Sequence, residues 1–520
     1  MRDDAPFSDM TDAQACYQAL KAHDARFDGR FFVGVSSTRI YCRPVCRVKL
    51  PKFENCRFFD HVALAESAGY RPCLRCRPEL APQSLAWSSQ DASRTLALQA
   101  ARWLDEPLAW GLDSPSISRL AEHVGVTDRH IRRIFELHLG VSPLQYLQTR
   151  RLLTAKQLLT DTDMPTSHIA HASGFGSVRR FSDAFLTHYR LNPSALRKSA
   201  RHPAKPYEKA NIDWPCSTVK LSYRPPYNVL WMLEFFKKRQ LNTTEFIATR
   251  ATNTLATWSF STYFGEEMYA GWLSVEFHAT QPTLMLKVSD SLRPVLPQVI
   301  RQVRALLDLD ADPMAINSVL GNSFDGAGNL AGLRVPGCLN GFELAVRAIL
   351  GQQVTVAAGR TFAQRVVDAF GSPIETPFPE ITRLFPTPEV LAAASGEALG
   401  RLGIVKQRQA AMVALAQAVA SKTLHLHPGV DLHTTLAKLR ALPGVGDWTA
   451  QYIAMRALRW PDAFVAGDVA LHKAMGLQHQ MKNQVSKLSP AKTAAAALEA
   501  SQIWRPWRSY AVMRAWTSLS

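Results

Sequence analysis

The chain has 520 residues, 47% of them hydrophobic and 20% charged, the balance of an ordered protein of roughly three or four domains and not of a disordered one. A formal charge of +17 and a pI near 9.7 point to a polyanionic partner, and the excess divides almost evenly between residues 1–216 and 217–520, so it is no basic tail. The acidic opening MRDDAPFSDM has no apolar core for export, and the longest bland apolar run, Ala410 to Ala420, is too short for a bilayer, so a cytoplasmic protein without a membrane partner is expected.

Four of the eight cysteines form Cys42-Arg-Pro-Val-Cys46 and Cys73-Leu-Arg-Cys76, two close pairs whose spacing suits one tetrahedral Zn²⁺ held by Cys42, Cys46, Cys73 and Cys76. Cys16, Cys56, Cys216 and Cys338 stand alone and read as small core residues. Arg39, Arg43, Arg47, Lys49, Lys52, Arg71, Arg75 and Arg77 surround the pairs and read as a rim for a phosphate backbone. The runs from Phe31 to Cys46 and from Gly69 to Pro78 resemble the N-terminal domain of the Ada adaptive-response regulators, and that domain is expected over 10–85. The resemblance implies that Cys42 is both a zinc ligand and the acceptor of a methyl group from DNA methyl phosphotriesters. Zinc would keep its sulfur as a thiolate, and methylation would remove one negative charge from the cluster and tighten DNA binding.

Between Asp91 and Lys198 the pattern is helical and repeats itself. Ser116 to Phe135 turns at Gly125, Ile169 to Phe185 turns at Gly174, and Thr127 and Ser177 read as N-caps of two recognition helices. Phe135 with Gly140-Val-Ser-Pro143, and Phe185 with Tyr189-Arg-Leu-Asn-Pro193, resemble the AraC-type DNA-binding domain, expected over 90–198. The resemblance implies that Arg129, Arg132, Arg133, Arg179 and Arg180 contact DNA, on base edges or on phosphates. It also implies an activator that works on RNA polymerase. The Pro- and Lys-rich stretch 199–216 reads as a linker. The Pro-Cys-His-Arg motif of an alkylguanine methyltransferase is absent, and Cys216 has no neighbouring His and is given no chemistry.

Residues 219–310 alternate strand-like runs, Leu273 to His278 and Thr283 to Val288, with helical stretches. Further on, Leu442-Pro-Gly444-Val-Gly446-Asp-Trp448-Thr-Ala450 separates two amphipathic stretches, one ending near Leu439 and one from about Trp448 to Leu458. Gly444 and Gly446 permit a tight turn whose N–H groups, beside a helix N-terminus, can seat a DNA phosphate. Asp468 follows in an apolar setting, as a helix cap, as a chemical carboxylate, or as both. These runs, with Tyr223 to Phe236, Gly337 to Val354 and Trp504 to Trp516, resemble bacterial 3-methyladenine DNA glycosylase II of the helix-hairpin-helix superfamily.

That resemblance implies a small α/β domain over 217–320 and an all-helical glycosylase domain over 321–520. The expected fold is therefore multidomain and mainly α, with α+β parts. Carried over by position, Asp468 is the catalytic carboxylate, stabilising an oxocarbenium-like sugar or orienting water. Phe235, Trp448, Tyr452 and Trp516 line a pocket whose electron-rich walls attract a cationic alkylated purine. Gln353 stands where the family places a leucine wedge, so it fills the gap or bonds the opposite base. Trp448 replaces the lysine of strand-cleaving relatives, so base removal without strand cleavage is expected. A monovalent cation on the carbonyls of Arg440, Leu442 and Val445 is implied, and no iron–sulfur cluster. Two other readings fit the same motifs: a transcription regulator whose glycosylase-like half only clamps DNA, and a glycosylase for a different damaged base, for example hypoxanthine or 1-methyladenine.

Overall fold

The computed structural model describes residues 10–83, 92–105, 116–200, 214–249, 254–324, 330–477 and 490–519. Strands β1 (Phe32–Val35), β2 (Ile40–Cys42), β3 (Cys56–Phe59) and β4 (Arg71–Pro72) form a small sheet in the order β3-β1-β2-β4. Alternation along β1 sends Phe32 to one face, with Tyr41, Phe59 and Tyr70, and Val33 to the other, with Phe58 and helix residues Ala19 and Leu20. Only β2 and β4 run parallel, pairing Ile40 with Arg71 and Tyr41 with Pro72. Cys42 and Cys73 each follow by one residue, so both arrive at the same end of the sheet.

The two helix-turn-helix units are Ile117–His123 with Asp128–Leu139, and Thr166–Ala172 with Val178–Tyr189. Gly125 (φ +72°) and Gly174 (φ +82°) make the turns, a conformation that a Cβ disfavours. Ile131, Ile134, Phe135 and Leu139 line one side of the first recognition helix; Phe181, Phe185 and Tyr189 line the second. The long helix Pro143–Asp161, capped reciprocally by Ser142 and Gln145, joins the units.

That helix also seats the cysteine domain. Leu153 enters the core of Phe32, Tyr41 and Phe59, and His61 stacks on Tyr146 at 5.1 Å. Glu66 accepts from Tyr41 Oη and Thr149 Oγ1, both at 3.0 Å, and Glu79 pairs with Lys156 and with Arg77 at 2.9 Å. Arg77 reaches on to Asp161 at 2.5 Å. The Glu66, Glu79 and Lys156 side chains are at most 3% exposed, so loss of one partner of the Lys156–Glu79 pair costs about 3–5 kcal/mol through the stranded charge.

The second sheet is antiparallel throughout, in the order β5-β9-β8-β7-β6: β5 (Cys216–Ser222), β6 (Glu245–Thr249), β7 (Thr254–Phe264), β8 (Glu267–Phe277) and β9 (Thr283–Ser289). The two predicted strand runs fall in β8 and β9. The predicted linker lies largely outside the described residues, and its last residue, Cys216, opens β5 opposite Ser289. Arg224, just past β5, is fully buried and donates to five backbone carbonyls: Asp28 at 2.7 Å, Pro82 at 3.0 Å, Gln83 at 2.9 Å, Asp310 at 2.7 Å and Ala311 at 3.5 Å. The N-terminal domain and the sheet domain therefore share a polar joint. Beyond the sheet the chain is helical, and no helix among the described residues is long and apolar enough to cross a membrane.

Candidate functional site

The cysteine centre comes first. The Sγ atoms of Cys42, Cys46, Cys73 and Cys76 all lie within 4.8 Å of one another, near the spacing of about 3.8 Å that a tetrahedral four-thiolate Zn²⁺ requires. Packed this closely the thiols compete for protons: hydrogen bonding to Cys42 draws Cys46 and Cys73 down, whereas burial pushes Cys76 up. The donor set fits zinc, and among the described residues it is the one group placed to hold a metal. Cys42 is only 5% exposed. The expected phosphate rim is smaller than its sequence suggests. Arg43 is buried, bound to Asp28 with Nε at 2.8 Å, and its backbone N–H points at Cys76 Sγ at 3.3 Å; Arg77 is tied to Glu79 and Asp161. Both brace the centre from within, while Arg39, Arg47, Lys49, Lys52 and Arg75 stay exposed.

On the helix-turn-helix units, Thr127 accepts from the His130 N–H and Ser177 from the Arg180 N–H, the predicted caps. Arg129, Arg132, Arg133, Arg179 and Arg180 all stand exposed in the first two turns behind those caps.

In the C-terminal half, helices Leu432–Ala441 and Asp447–Arg456 flank the hairpin. Gly444 takes φ +72° at its tip. Gly446 caps the second helix with no side-chain acceptor, leaving first-turn N–H groups as donors. Gln352 braces the turn, its Nε2 donating to Gly444 O and Thr449 Oγ1, each at 2.9 Å, while Arg408 holds the Gln352 carbonyl. Gln353 is thereby presented exposed at φ +53°, a conformation costly for a residue with a Cβ.

Asp468 is the N-cap of helix Val469–Ala474, its Oδ1 accepting from the Leu471 N–H at 2.7 Å. The same oxygen accepts from Trp516 Nε1 at 3.0 Å, and Oδ2 accepts from Trp448 Nε1 at 2.9 Å. Trp448 stacks on Tyr452 with ring centroids 5.2 Å apart and 10° between planes, and Trp516 lies 6.3 Å from Tyr452. Asp468, Trp448, Tyr452 and Trp516 are all partly exposed, so the carboxylate and three rings share one open recess near the hairpin. A half-buried carboxylate fixed by neutral donors keeps its charge available to a positive group brought beside it.

Phe235 is placed differently. It is 7% exposed, with the Arg239 guanidinium 3.7 Å and the Arg456 guanidinium 5.0 Å from its ring centroid. Arg456 also lies 5.3 Å from the Tyr452 centroid and donates to its oxygen. These two arginines, and the bracing Gln352, are what the sequence reading missed. The signal was there: Arg239 follows Phe235, and Arg456 follows Tyr452, by the four residues that share a helix face.

One chain thus carries a thiol centre packed onto paired recognition helices, and a hairpin beside an open carboxylate recess. Together these define a DNA-binding protein that joins regulation to repair. The comparisons agree segment by segment. Residues 15–79 match the metal-binding domain of Ada, 120–199 a helix-turn-helix domain, 218–340 the AlkA N-terminal domain, and 346–501 the HhH-GPD superfamily of base excision DNA repair proteins. The probable bifunctional transcriptional activator/DNA repair enzyme AlkA of Mycobacterium tuberculosis is 35% identical over 519 residues, 98% of this chain and 97% of that one. DNA-3-methyladenine glycosylase 2 of Escherichia coli is 33% identical over 57% of this chain and 95% of its own. The Escherichia coli bifunctional transcriptional activator/DNA repair enzyme Ada is 31% identical over 31% of this chain and 43% of its own. The chain belongs to the family of bifunctional transcriptional activator/DNA repair proteins in which an Ada-type regulator is fused to an AlkA-type DNA glycosylase.

Proposed function

We propose that the C-terminal half excises alkylated bases of the 3-methyladenine type from DNA, and that the N-terminal half accepts a methyl group from DNA methyl phosphotriesters and thereby regulates transcription. The observation that carries the first part is the Asp468 carboxylate, fixed by two indole N–H groups in a recess walled by Trp448, Tyr452 and Trp516. The hairpin at Gly444 and Gly446 grips a phosphate of the lesion strand, and the damaged nucleotide swivels out at a cost of a few kcal/mol. Gln353, held forward, enters the gap or bonds the opposite base. As the C1′–N bond breaks, its electron pair leaves with the base. Positive charge grows on the sugar beside Asp468, which stabilises it or orients the water that attacks C1′. With Trp448 in place of an amine nucleophile, the sugar–phosphate strand stays intact. Carbonyls of Arg440, Leu442 and Val445 hold a monovalent cation at the hairpin in this reading.

At the other end, bound Zn²⁺ supplies the charge that holds the four sulfurs as thiolates. Cys42 Sγ attacks the phosphotriester methyl: an S–C bond forms, the C–O bond breaks, and its electron pair leaves on the phosphodiester. The cluster then repels DNA less, and Arg129, Arg132, Arg133, Arg179 and Arg180 engage the promoter to act on RNA polymerase. Because Cys42 is buried, its neighbours must part locally to admit the methyl group.

Release of 3-methyladenine from methylated DNA tests the enzyme. Asp468→Asn keeps the helix cap through its one carbonyl oxygen, since Asn caps as well as Asp, but removes the charge and sets an amide NH2 against the Trp448 N–H; the rate is expected to fall at least about 100-fold, far beyond the loss of about 1–3 kcal/mol in stability from that unpaired donor. Equal release by both forms would remove Asp468 from the chemistry, and release by neither would leave only the DNA-clamping regulator.

A further inference from the structure

The wall of the recess is not uniformly electron-rich. On one side Trp448 and Trp516 turn their N–H groups to Asp468. On the other, Arg239 and Arg456 occupy the faces of Phe235 and Tyr452, where a cationic base would otherwise draw cation–π attraction. Nearby Arg347 is neutralised by Glu245 and Glu343, each at 2.8 Å. Among the described residues Arg239 and Arg456 have no carboxylate partner. Arg239 donates to the Phe235 carbonyl at 3.2 Å; Arg456 donates to those of Pro336 at 2.8 Å and Gly337 at 2.9 Å, and to Tyr452 Oη.

This fixes which way Tyr452 bonds. A guanidinium donates and never accepts, so Tyr452 gives Arg456 a lone pair and keeps its own hydrogen. Among the described residues no acceptor takes that hydrogen, so it is left for a group that enters the recess. Burial pushes the phenol up, but the Arg456 and Arg239 charges outweigh it and leave the hydroxyl below its usual value, a stronger donor than an ordinary tyrosine.

We propose that Arg456, assisted by Arg239, is a specificity-determining positioning residue: it makes the Tyr452 hydroxyl a hydrogen-bond donor to a neutral damaged base bearing a ring nitrogen or carbonyl acceptor. The inference rests on the glycosylase reading and refines it. A cationic N-alkylpurine meets two guanidiniums behind this wall, neither in direct contact with a carboxylate, and has lost an acceptor nitrogen to the alkyl group. Its excision therefore depends on Asp468 and on the ease with which it leaves. A neutral base, a poorer leaving group, depends on the Tyr452 donor as well.

The test compares release of hypoxanthine, neutral with carbonyl and ring-nitrogen acceptors, and of 7-methylguanine, cationic, by the full-length protein. Tyr452→Phe keeps the ring and removes the oxygen; the ratio of hypoxanthine to 7-methylguanine release is expected to fall at least about tenfold, over and above any loss common to both bases from altering the pocket wall. Arg239→Gln, which leaves the carbonyl clamp of Arg456 in place, should shift the ratio toward the cationic base in the same sense. Parallel losses on both substrates, or an unchanged ratio in both variants, overturn the assignment while leaving the glycosylase intact. Release of neither base by the wild type overturns the glycosylase reading and this inference together.

Discussion

Cys42, Asp468 and Tyr452 are each held by neighbours that would take no part in the proposed reactions. Cys42 sits among three sulfurs within 4.8 Å, so its substitution removes the acceptor and a metal ligand together. Cys42→Ala is expected to take up no labelled methyl from phosphotriester DNA, while base release, which needs none of these sulfurs, continues at the wild-type rate. Labelling at the wild-type level would move the acceptor to another cysteine of the cluster. Asp468 combines two tasks because a helix cap needs only one of its oxygens at one angle; the second oxygen is left to Trp448. This is why it reads from sequence as a cap, a chemical group or both: the cap is present, and the geometry leaves the carboxylate room for the second role.

At the scale of elements, what was legible was what is local. The caps Thr127 and Ser177, the turns at Gly125 and Gly174, and the two hairpin helices all follow from spacings of a few residues, and they appear where spacing puts them. What was not legible depends on partners far along the chain. Arg43 and Arg77 look like surface cations until Asp28 and Asp161 are brought to them, and Phe235 looks like an open wall until Arg456, from another helix, closes over it. The two hairpin glycines also separate only in three dimensions. Gly444 is at φ +72° with a would-be Cβ 3.3 Å from Ala411 Cβ, whereas Gly446 is at φ −85° with nothing within 4 Å. Gly444→Ala should therefore cost about 1–2 kcal/mol and weaken duplex binding, visible together in the melting midpoint and a titration with DNA. Gly446→Ala should leave the midpoint within about 0.5 kcal/mol of wild type. Equal losses at both positions would contradict this account of the turn.

For the molecule as a whole, the cysteine domain and the helix-turn-helix units titrate as one body. Burial pushes the Glu66 carboxyl up to about 7, although the Tyr41 and Thr149 hydroxyls both favour its charged form. A folded-state value above the unfolded 4.5 means the native state holds the proton more tightly. The resulting stabilisation is complete below about pH 4.5 and fades as pH climbs to about 7, a change of roughly 3 kcal/mol. Denaturation of the whole protein followed by fluorescence should show that decline, and Glu66→Gln should flatten it and raise stability at pH 7.5. A wild-type curve that rises across this window would show Glu66 ionised throughout.

The joint at Arg224 bears on where this chain can be cut. On paper the linker 199–216 invites division into two independent modules. In space, a break there followed by separation would tear one guanidinium from the carbonyls of Asp28, Pro82 and Gln83 and strand it inside the sheet domain. Each fragment would inherit a defect: a guanidinium left with only the Asp310 and Ala311 carbonyls on one side, three orphaned oxygens on the other. The seam between the regulator and the glycosylase-type half is thus interior surface, and the two halves are built as one body there.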